Sequence, residues 1–364
     1  MKELIIETNE AGKRLDKLLA GILPKADSGF LYKMLRKKNI VLNDKKATGR
    51  ERLVQGDSVK IWFSDETFAK LSDGAQRRKH LSQYEEAFEK FQNTGIRILH
   101  ETNDVCVFNK PPGILSQKAK EEDLSLNEYW IGYLLHEQKT SEEALLSFRP
   151  SVMNRLDRGT SGCVLCAKTL MGANFLSQGL KDHTIHKYYH TIVKGILLGS
   201  GVITARLTKD KRRNLVQLQD LTHCKEDGKN PPIDSVDLTQ TVYRTMAVNR
   251  EQGLSLVEVE LKSGKTHQIR SHFASIGHPI AGDRKYGDFQ WNQQLYKAFH
   301  LDSQLLHCRQ VGWESVKIDA PYFSKFQQIR DFYFCLRRET ALHANMEFQR
   351  SSRFFPGRFD QPHQ

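Results

Sequence analysis

The chain has 364 residues, of which 39% are hydrophobic and 27% charged, a composition typical of a globular protein with about two domains. No apolar run approaches the roughly 20 residues that a membrane-spanning helix needs, and the N-terminus lacks the pattern of a secretory signal. We therefore expect a soluble, cytoplasmic protein with no membrane partner. A net charge of +12 favours a polyanionic partner, because lysines and arginines release counterions when they bind phosphates.

The six cysteines are scattered along the chain, and most lie in apolar stretches, where a reduced cysteine behaves as a small hydrophobic residue. Cys163 and Cys166 have the spacing of a C-x-x-C pair, but no second pair follows downstream. We expect structural thiols here, and neither a zinc site nor a redox site.

The first predicted domain covers residues 12–63. Leu15, Leu18 and Leu19 have helical spacing, and a second helix is expected to begin at about Ser28, which we interpret as its N-cap. Short strands separated by turns follow, so the pattern predicts a small α+β domain with one basic edge. An ordinary α+β domain with solvated lysines fits the composition as well. The basic residues on and after the last turn of the second helix are Lys33, Arg36, Lys37 and Lys38.

This segment resembles the small alpha-L RNA-binding domain of several ribosomal proteins and RNA-modifying enzymes. The pattern of that family is present in Arg14-Leu15-Asp16, in the basic second helix, in Val41-Leu42-Asn43 and in Gly56-Asp57. The resemblance implies that Arg14 and the basic helix bind structured RNA through its phosphates and shape. It also implies that Asp16 begins a helix and has a structural role.

Residues 64–95 are predicted to form a linker that contains a polar helix near 84–91. From residue 96 the sequence becomes rich in strands, with helices expected at 125–138 and 170–181, so a mixed α+β domain is predicted over 96–335.

Two further segments are basic. Residues 206–213 have the pattern of a hairpin loop that is either a solvated tip or an RNA clamp. The tail, residues 340–364, interleaves arginines with phenylalanines; we expect it to be mobile, although such side chains can also stack on unpaired bases.

One carboxylate stands out in the larger domain. Asp157 lies between Arg155 and Arg158, whose positive charges favour its ionised form, and Gly162 is expected to let the backbone turn before a buried strand at 163–167. Such a carboxylate can act as a nucleophile or a base, although an Arg-Leu-Asp triplet beside a turn is most often a surface ion pair.

Four segments of this domain follow one another in the order shown by one enzyme family. They are Val107–Leu115 with its Asn-Lys-Pro-Pro-Gly turn, the segment around Asp157, Lys187–Gly195, and Ser263–Phe273 with its Thr-His-Gln-Ile-Arg run. The fourth segment continues through a Gly-His-Pro-Ile turn, residues 277–280, to Gly287. Together they resemble the RluA family of pseudouridine synthases, over about residues 96–325. The resemblance implies an α+β fold in which a mixed, mainly antiparallel sheet forms the catalytic domain.

The resemblance also assigns roles to particular residues. It implies that Asp157 is the catalytic aspartate, that Tyr189 is the active-site tyrosine, and that Arg270 is the basic residue paired with the aspartate. Further RNA contacts are expected from residues of the same segments, namely Lys110, Arg155, Lys265, His267 and Gln268.

The chemistry suits these side chains. Conversion of uridine to pseudouridine breaks the bond from the base nitrogen to ribose, turns the base and joins the same sugar carbon to a ring carbon. Asp157 could attack the sugar covalently, stabilise positive charge or remove a ribose proton, and the sequence does not choose among these routes. Tyr189 would stack on the base and assist proton removal from the ring.

No metal or other cofactor is expected, because every atom of the product comes from substrate or water. His267, His272 and His278 match no common metal motif, and their stretch is predicted to be a half-buried helix in which they make hydrogen bonds.

Three positions depart from the family pattern. Asn154 stands where the family usually has histidine, Gly159 where an acidic residue is common, and Lys265 where arginine is usual. None removes a reacting group, although lysine in place of arginine loses bidentate geometry.

The sequence therefore predicts a monomeric RNA pseudouridine synthase that acts on structured RNA, with bacterial large-subunit ribosomal RNA as the favoured substrate. A synthase of transfer RNA and a non-catalytic RNA-binding or ribosome-assembly factor are the alternatives. A glycosidase is disfavoured, since it would normally need a second acid.

Overall fold

The computed structural model describes residues 1–6, 10–210, 215–220, 238–261 and 264–334. These residues fall into two compact units, of which the first comprises Met1–Lys187 and His307–Pro321 and the second comprises Tyr188–Leu306 and the chain from Tyr322. The predicted tail, 340–364, and residues 211–213 of the basic hairpin lie outside the described residues.

The N-terminal part of the first unit is a small α+β fold. Its leucines at helical spacing, Leu15, Leu18 and Leu19, are buried in one apolar core, as predicted. The N-cap of the second helix is Asp27 and not the expected Ser28; Ser28 is the first helical residue. The carboxylate of Asp27 accepts from the amide of Phe30 at 2.7 Å. The elements are β1 (Lys2–Ile5), α1 (Leu15–Ile22), α2 (Ser28–Arg36), β2 (Ile40–Leu42), β3 (Lys45–Lys46) and β4 (Ser58–Ile61), with the sheet in the order β1-β4-β2-β3. This sheet therefore includes residues that precede position 12.

Two helices follow the small sheet, α3 (Asp65–Leu71) and α4 (Gly74–Phe91). The helix expected near 84–91 therefore begins ten residues earlier, at Gly74, and a second helix, which was not predicted, precedes it. α4 packs closely on the helix α5 (Leu126–His136). Gly132 permits this approach, because a Cβ there would lie 2.3 Å from the carbonyl oxygen of Tyr84. The segment between the two predicted domains is thus packed into the first unit.

The central part of the first unit is built on two fully buried strands. They are β6 and β8, which pair antiparallel with Lys110 opposite Gly162. The elements from residue 96 onward are β5 (Arg97–Glu101), β6 (Val105–Lys110), α5, α6 (Ala144–Ser147), β7 (Ser151–Val152), β8 (Ser161–Ala167) and α7 (Leu170–Lys181). The helices predicted at 125–138 and 170–181 are therefore present, the first of them capped by Ser125.

The second unit is an antiparallel sheet with helices. Its strands are β9 (His186–Lys194), β10 (Ser200–Asp210), β11 (Leu215–Asp220), β12 (Leu238–Asn249) and β13 (Leu254–Leu261), in the order β11-β10-β12-β13-β9. β10 and β11 pair antiparallel, and residues 206–210 of the predicted hairpin loop are strand residues of β10. Two helices follow, α8 (Gln268–Ser275) and α9 (Phe289–Phe299).

The chain then returns to the first unit with β14 (Leu306–Trp313) and β15 (Val316–Asp319), and ends its described part in α10 (Ser324–Phe334) of the second unit. β14 pairs parallel with β8, whereas β15 runs antiparallel to β14. The mixed, mainly antiparallel α+β fold is as predicted.

Gly162 has a different role from the one expected. It is the second residue of β8 and not part of a turn before it. Its φ is +109°, and a Cβ would lie 2.2 Å from the carbonyl oxygen of Cys308 on the parallel neighbour β14. Glycine is needed here so that two backbones can approach.

No helix among the described residues is both long and apolar enough to cross a bilayer.

Candidate active site

Asp157 lies in the loop between β7 and β8 of the first unit, and it is partly buried. Its carbonyl oxygen accepts from the amide of Thr160 at 3.0 Å, which closes a turn. The flanking arginines, Arg155 and Arg158, are both exposed. The loop therefore presents a carboxylate between two cations at the surface of the unit.

Residues just before and after the aspartate are held by the segment that follows β6. The hydroxyl of Ser116 donates to the carbonyl oxygen of Leu156 and accepts from the amide of the same residue, both at 2.9 Å. The carbonyl oxygen of Arg158 accepts from the amide of Gly113 at 2.7 Å. The Pro-Pro-Gly turn and the aspartate loop are thus joined by their backbones.

Lys110 is completely buried at the end of β6. Its ammonium donates to the carbonyl oxygens of Pro111 at 2.9 Å, Ile114 at 2.8 Å and Arg158 at 3.4 Å. Burial lowers the pKa of Lys110 to about 7, and the nearby charge of Asp157 opposes that shift. The expectation that Lys110 contacts RNA is wrong, because an ammonium enclosed by protein cannot reach a phosphate.

Asn154, one of the departures from the family pattern, ties the aspartate loop to β8. Its side-chain oxygen accepts from the amide of Leu165 at 2.6 Å, and its side-chain nitrogen donates to the carbonyl oxygen of Cys163 at 3.4 Å. The amide side chain therefore supports the same loop from the strand that follows it.

Tyr189 lies on β9 of the second unit, opposite Val259 on β13, and is 4% exposed. Lys187 at the start of the same strand is also buried, and burial lowers its pKa. The backbone of Tyr189 is thus held in a continuous strand ladder, and its side chain is buried.

Arg270 lies on α8, whose residues 268–273 are all buried, so the helix is more enclosed than the half-buried one predicted. Its guanidinium donates from Nε to Oδ2 of Asp283 at 2.7 Å and from Nη2 to Oδ1 at 2.8 Å. Asp283 also accepts from the amides of Lys285 and Tyr286. Burial would raise the pKa of Asp283, but the hydrogen bonds and charge of Arg270, with the two amides, hold it below its usual value.

Sequence reasoning missed Asp283. It follows Arg270 by 13 residues, a separation that no helix or strand period connects. The available signal was that Asp283 is an acidic side chain three residues after the run Gly277-His278-Pro279-Ile280. The predicted pairing of Arg270 with Asp157 stays a prediction.

The other residues of the fourth segment differ in exposure. Lys265 is exposed, and His267 is half-buried with its Nδ1 3.0 Å from the hydroxyl of Tyr286. Gln268 is 2% exposed; its side chain donates to the carbonyl oxygen of Gln240 at 2.9 Å and accepts from the amide of Lys265. The expectation that Gln268 contacts RNA is therefore wrong, since its amide is committed inside the protein.

The histidines considered as metal ligands make hydrogen bonds. Nε2 of His272 lies 3.0 Å from the hydroxyl of Thr239, and Nδ1 of His278 lies 2.9 Å from the carbonyl oxygen of Lys194. In the part of the chain that the structure describes, no three His, Cys, Asp or Glu side chains cluster in a way that could hold a metal ion.

The small N-terminal fold carries the first Arg-Leu-Asp triplet. Asp16 accepts from Nε and Nη2 of Arg14 at 3.1 and 2.6 Å and from the hydroxyl of Tyr32 at 3.0 Å. Burial opposes ionisation of Asp16, but these hydrogen bonds outweigh it and lower its pKa. Asp16 is therefore a structural residue, as predicted. The side chains of Lys33, Arg36, Lys37 and Lys38 are exposed on and after α2.

Proteins similar to this chain are RNA pseudouridine synthases. Residues 104–275 match the model of the family described as RNA pseudouridylate synthase. The chain is 26% identical over 307 residues to the ribosomal large subunit pseudouridine synthase D of Buchnera aphidicola, covering 82% of this chain and 84% of that protein. It is 27% identical over 344 residues to the ribosomal large subunit pseudouridine synthase C of Pasteurella multocida, covering 90% and 93%.

Residues 104–275 of this chain are thus similar to the RNA pseudouridylate synthase family. Among solved structures, human RNA pseudouridylate synthase domain containing 4 has the same fold, with a TM-score of 0.50 and 19% identity over 69% of this chain and 95% of that one. The family match and the names of these relatives support an isomerase that converts uridine in RNA to pseudouridine.

The family match in this pseudouridine synthase contains Asp157, Tyr189 and Arg270, together with the segment around Ser116 that holds the aspartate loop. Asp283 and the N-terminal fold lie outside the matched residues. The buried carboxylate of Asp283 and the basic N-terminal fold are therefore features of this protein that the family match does not cover.

Proposed function

We propose that this pseudouridine synthase modifies uridines of large-subunit ribosomal RNA, with Asp157 as its catalytic carboxylate. The assignment of Asp157 rests on its exposure, on its neighbouring charges and on the hydrogen bonds of its loop. Asp157 is a partly exposed carboxylate between two exposed arginines, on a loop whose backbone is fixed on both sides by hydrogen bonds. The assignment of the substrate rests on the names of the relatives, synthases C and D of the ribosomal large subunit.

The carboxylate acts on the ribose of a uridine that has left its helix. It attacks the sugar carbon, stabilises positive charge on it, or removes a ribose proton while the base separates and turns. The new bond forms at C5 of the base, and the hydrogen on C5 leaves as a proton. Extrusion of the base costs a few kcal/mol, and arginines that grip neighbouring phosphates offset it. Arg155 and Arg158 are exposed beside Asp157 and suit this role.

Tyr189 and Arg270 belong to the same proposal. The ring of Tyr189 stacks on the target base and assists removal of the C5 proton. Arg270 supplies the guanidinium that keeps a carboxylate ionised, and its own position is fixed by Asp283. Lys265 and His267 remain accessible enough to contact RNA.

The N-terminal fold delivers the enzyme to its substrate. Residues 12–63 are proposed as an alpha-L RNA-binding domain, and the exposed cations of α2 bind phosphates of structured RNA. We propose that the catalytic domain extends over 96–335, and that the enzyme acts as a monomer in the cytoplasm, where bacterial ribosomes assemble.

Pseudouridine mapping tests this proposal. Ribosomal and transfer RNA from cells that lack the protein are compared after complementation with the natural protein, with Asp157→Asn, or with Asp182→Asn as a control at another carboxylate, which is exposed. We expect a large-subunit site that is lost on deletion and restored by the natural protein and Asp182→Asn, but not by Asp157→Asn.

Each other outcome contradicts a stated part of the proposal. A lost site in transfer RNA would overturn the substrate and keep the enzyme. Restoration by Asp157→Asn would overturn the role of the aspartate. Absence of any lost site would favour the RNA-binding or ribosome-assembly alternative.

A further inference from the structure

The two peptide planes on either side of the Asp157 Cα are each held by a hydrogen bond. The preceding plane carries the carbonyl oxygen of Leu156, which accepts from the hydroxyl of Ser116 at 2.9 Å. The following plane carries the carbonyl oxygen of Asp157 itself, which accepts from the amide of Thr160 at 3.0 Å. Because these planes set φ and ψ of Asp157, they also set the direction in which its side chain leaves the backbone.

Ser116 holds the preceding residue by both of its backbone groups. Its hydroxyl donates to the carbonyl oxygen of Leu156 and accepts from its amide, and these groups belong to successive peptide planes. Ser116 is 2% exposed and Leu156 is 6% exposed, so water does not compete well for either bond. A single buried hydroxyl therefore fixes two consecutive peptide planes directly before the aspartate.

Ser116 is itself rigidly placed. Its carbonyl oxygen accepts from the amide of Asn127 at 3.2 Å, at the start of α5. The turn that leads to it is tied by the ammonium of Lys110, which donates to the carbonyl oxygens of Pro111 and Ile114. The same turn reaches the far side of the aspartate through the bond from the amide of Gly113 to Arg158. The segment 110–116 is thus hydrogen-bonded to the residue before Asp157, Leu156, and to the residue after it, Arg158.

We propose that Ser116 is a positioning residue for the reaction, which aims the carboxylate of Asp157 by holding the backbone of Leu156, and that Lys110 supports the same segment. The inference rests on the proposed catalytic role of Asp157. It deepens that role by naming the residue that sets the geometry of the carboxylate. Displacement of a reacting group by about 1 Å can lower a rate by about 100-fold, so a single hydroxyl can have a large effect on turnover.

The competing explanation is that Ser116 serves only the stability of the first unit. The chain contains a matched control for this, Ser255 on β13 of the second unit. Its hydroxyl accepts from the amide of Leu197 and donates to the carbonyl oxygen of Gly195, both at 2.9 Å, and its side chain is fully buried. Ser116→Ala and Ser255→Ala remove the same two bonds from two different loops.

The experiment measures the single-turnover rate constant with saturating RNA. The substrate is large-subunit ribosomal RNA labelled with [5-³H]uridine, taken from cells that lack the protein, and the readout is tritium released when C5 forms its new bond. We expect Ser116→Ala to lower the rate constant by about 10- to 100-fold, with an RNA dissociation constant within about twofold of the natural one. Ser255→Ala should leave the rate constant within about twofold of the natural one. It should lower the melting temperature by about as much as Ser116→Ala does, because each variant loses two buried hydrogen bonds. Ser116→Thr, which keeps the hydroxyl, should recover most of the lost rate.

The inference is overturned if Ser116→Ala turns over as fast as Ser255→Ala, or if Ser116→Thr is as slow as the alanine variant. If Ser116→Ala does not fold, Ser116→Cys replaces it, since a thiol of similar size makes only weak hydrogen bonds; a natural rate in that variant overturns the inference. Asp157→Asn distinguishes a failure of the proposed function from a failure of the role of Ser116. An active Asp157→Asn overturns the proposed function, whereas an inactive Asp157→Asn beside a fast Ser116→Ala overturns this inference alone.

Discussion

Arg270 and Asp283 are joined by two parallel, charge-assisted hydrogen bonds in the interior of the second unit. The distances are 2.7 Å from Nε to Oδ2 and 2.8 Å from Nη2 to Oδ1, and Asp283 is only 1% exposed. A planar guanidinium held at two points by a carboxylate cannot rotate out of its plane without breaking one of the bonds. Asp283 therefore decides where the guanidinium of Arg270 lies.

We predict that Asp283→Ala lowers the free energy of unfolding by about 3–5 kcal/mol, because it removes one partner of a buried ion pair and leaves the other enclosed. Thermal unfolding of the two proteins measures the effect. Arg244→Ala is the control, because it removes one partner of the Arg244–Glu258 pair, in which the Arg244 side chain is 67% exposed. The control should cost no more than about 1 kcal/mol. Equal costs for the two variants would contradict the importance of burial.

The same carboxylate should respond to acid. The pKa of Asp283 is lowered from its ordinary value of 3.8. The carboxylate of Asp283 therefore stays ionised in the folded protein at pH values where the same group in the unfolded chain is protonated. The stabilisation is present above pH 3.8 and is lost as pH falls through the lowered pKa. We predict that the difference in melting temperature between the natural protein and Asp283→Asn shrinks as pH falls from 5 to 3. A difference that stays constant over this range would show that Asp283 is not the titrating group.

The helices of this protein could be predicted from sequence because their apolar spacing and caps are local. Leu15, Leu18 and Leu19 are buried as their spacing indicated, and α7 has the predicted bounds. The four segments that resemble pseudouridine synthases could be recognised because the residues within each segment are consecutive. Asp283 could not be assigned, since the fold brings it to Arg270 through a turn and not through a helical or strand period.

Exposure of the polar residues in the motifs was the harder property to predict. Lys110 and Gln268 were expected at the RNA surface because of their chemical type, yet both are buried. Lys110 is the last residue of the fully buried strand β6, so its position shortly after the apolar run 105–108 was the available signal. Gln268 lies on the buried face of α8, where its amide satisfies backbone groups of neighbouring residues. In both cases tertiary packing, which a motif does not encode, decided the role.

The buried ammonium of Lys110 should make stability depend on alkaline pH. Its pKa is lowered from 10.5 to about 7 by burial, so between these values the unfolded chain binds a proton that the folded protein has released. The unfolded state binds more protons in this window, and this group therefore adds stability as pH rises, by up to about 1.4 kcal/mol per pH unit. We predict that the melting temperature of the natural protein rises relative to that of Lys110→Met between pH 7 and 9. A pH-independent difference between the two proteins would contradict the lowered pKa.

The exposed cations of α2 should govern binding and not turnover. Lys33 and Lys37 are exposed on the N-terminal fold, and each phosphate contact that is lost lowers the slope of log binding constant against log salt by about 1. We predict that Lys33→Gln combined with Lys37→Gln weakens binding to ribosomal RNA and lowers this slope, while the rate at saturating RNA stays unchanged. Filter binding at several salt concentrations and single-turnover kinetics measure the two effects.

Lys60→Gln is the matched control for these cations. Lys60 belongs to the same fold, but its ammonium is paired with Asp44 at 2.7 Å, so it is already neutralised by a protein carboxylate. Its loss should leave both the affinity and the salt slope within experimental error. If Lys60→Gln weakened RNA binding as much as the α2 variant, the general positive charge of the domain would explain the binding. If the cations of α2 form the RNA-binding face, the α2 variant must lose more affinity and more of the salt slope than Lys60→Gln. The reason is that only a phosphate that is contacted releases its counterions.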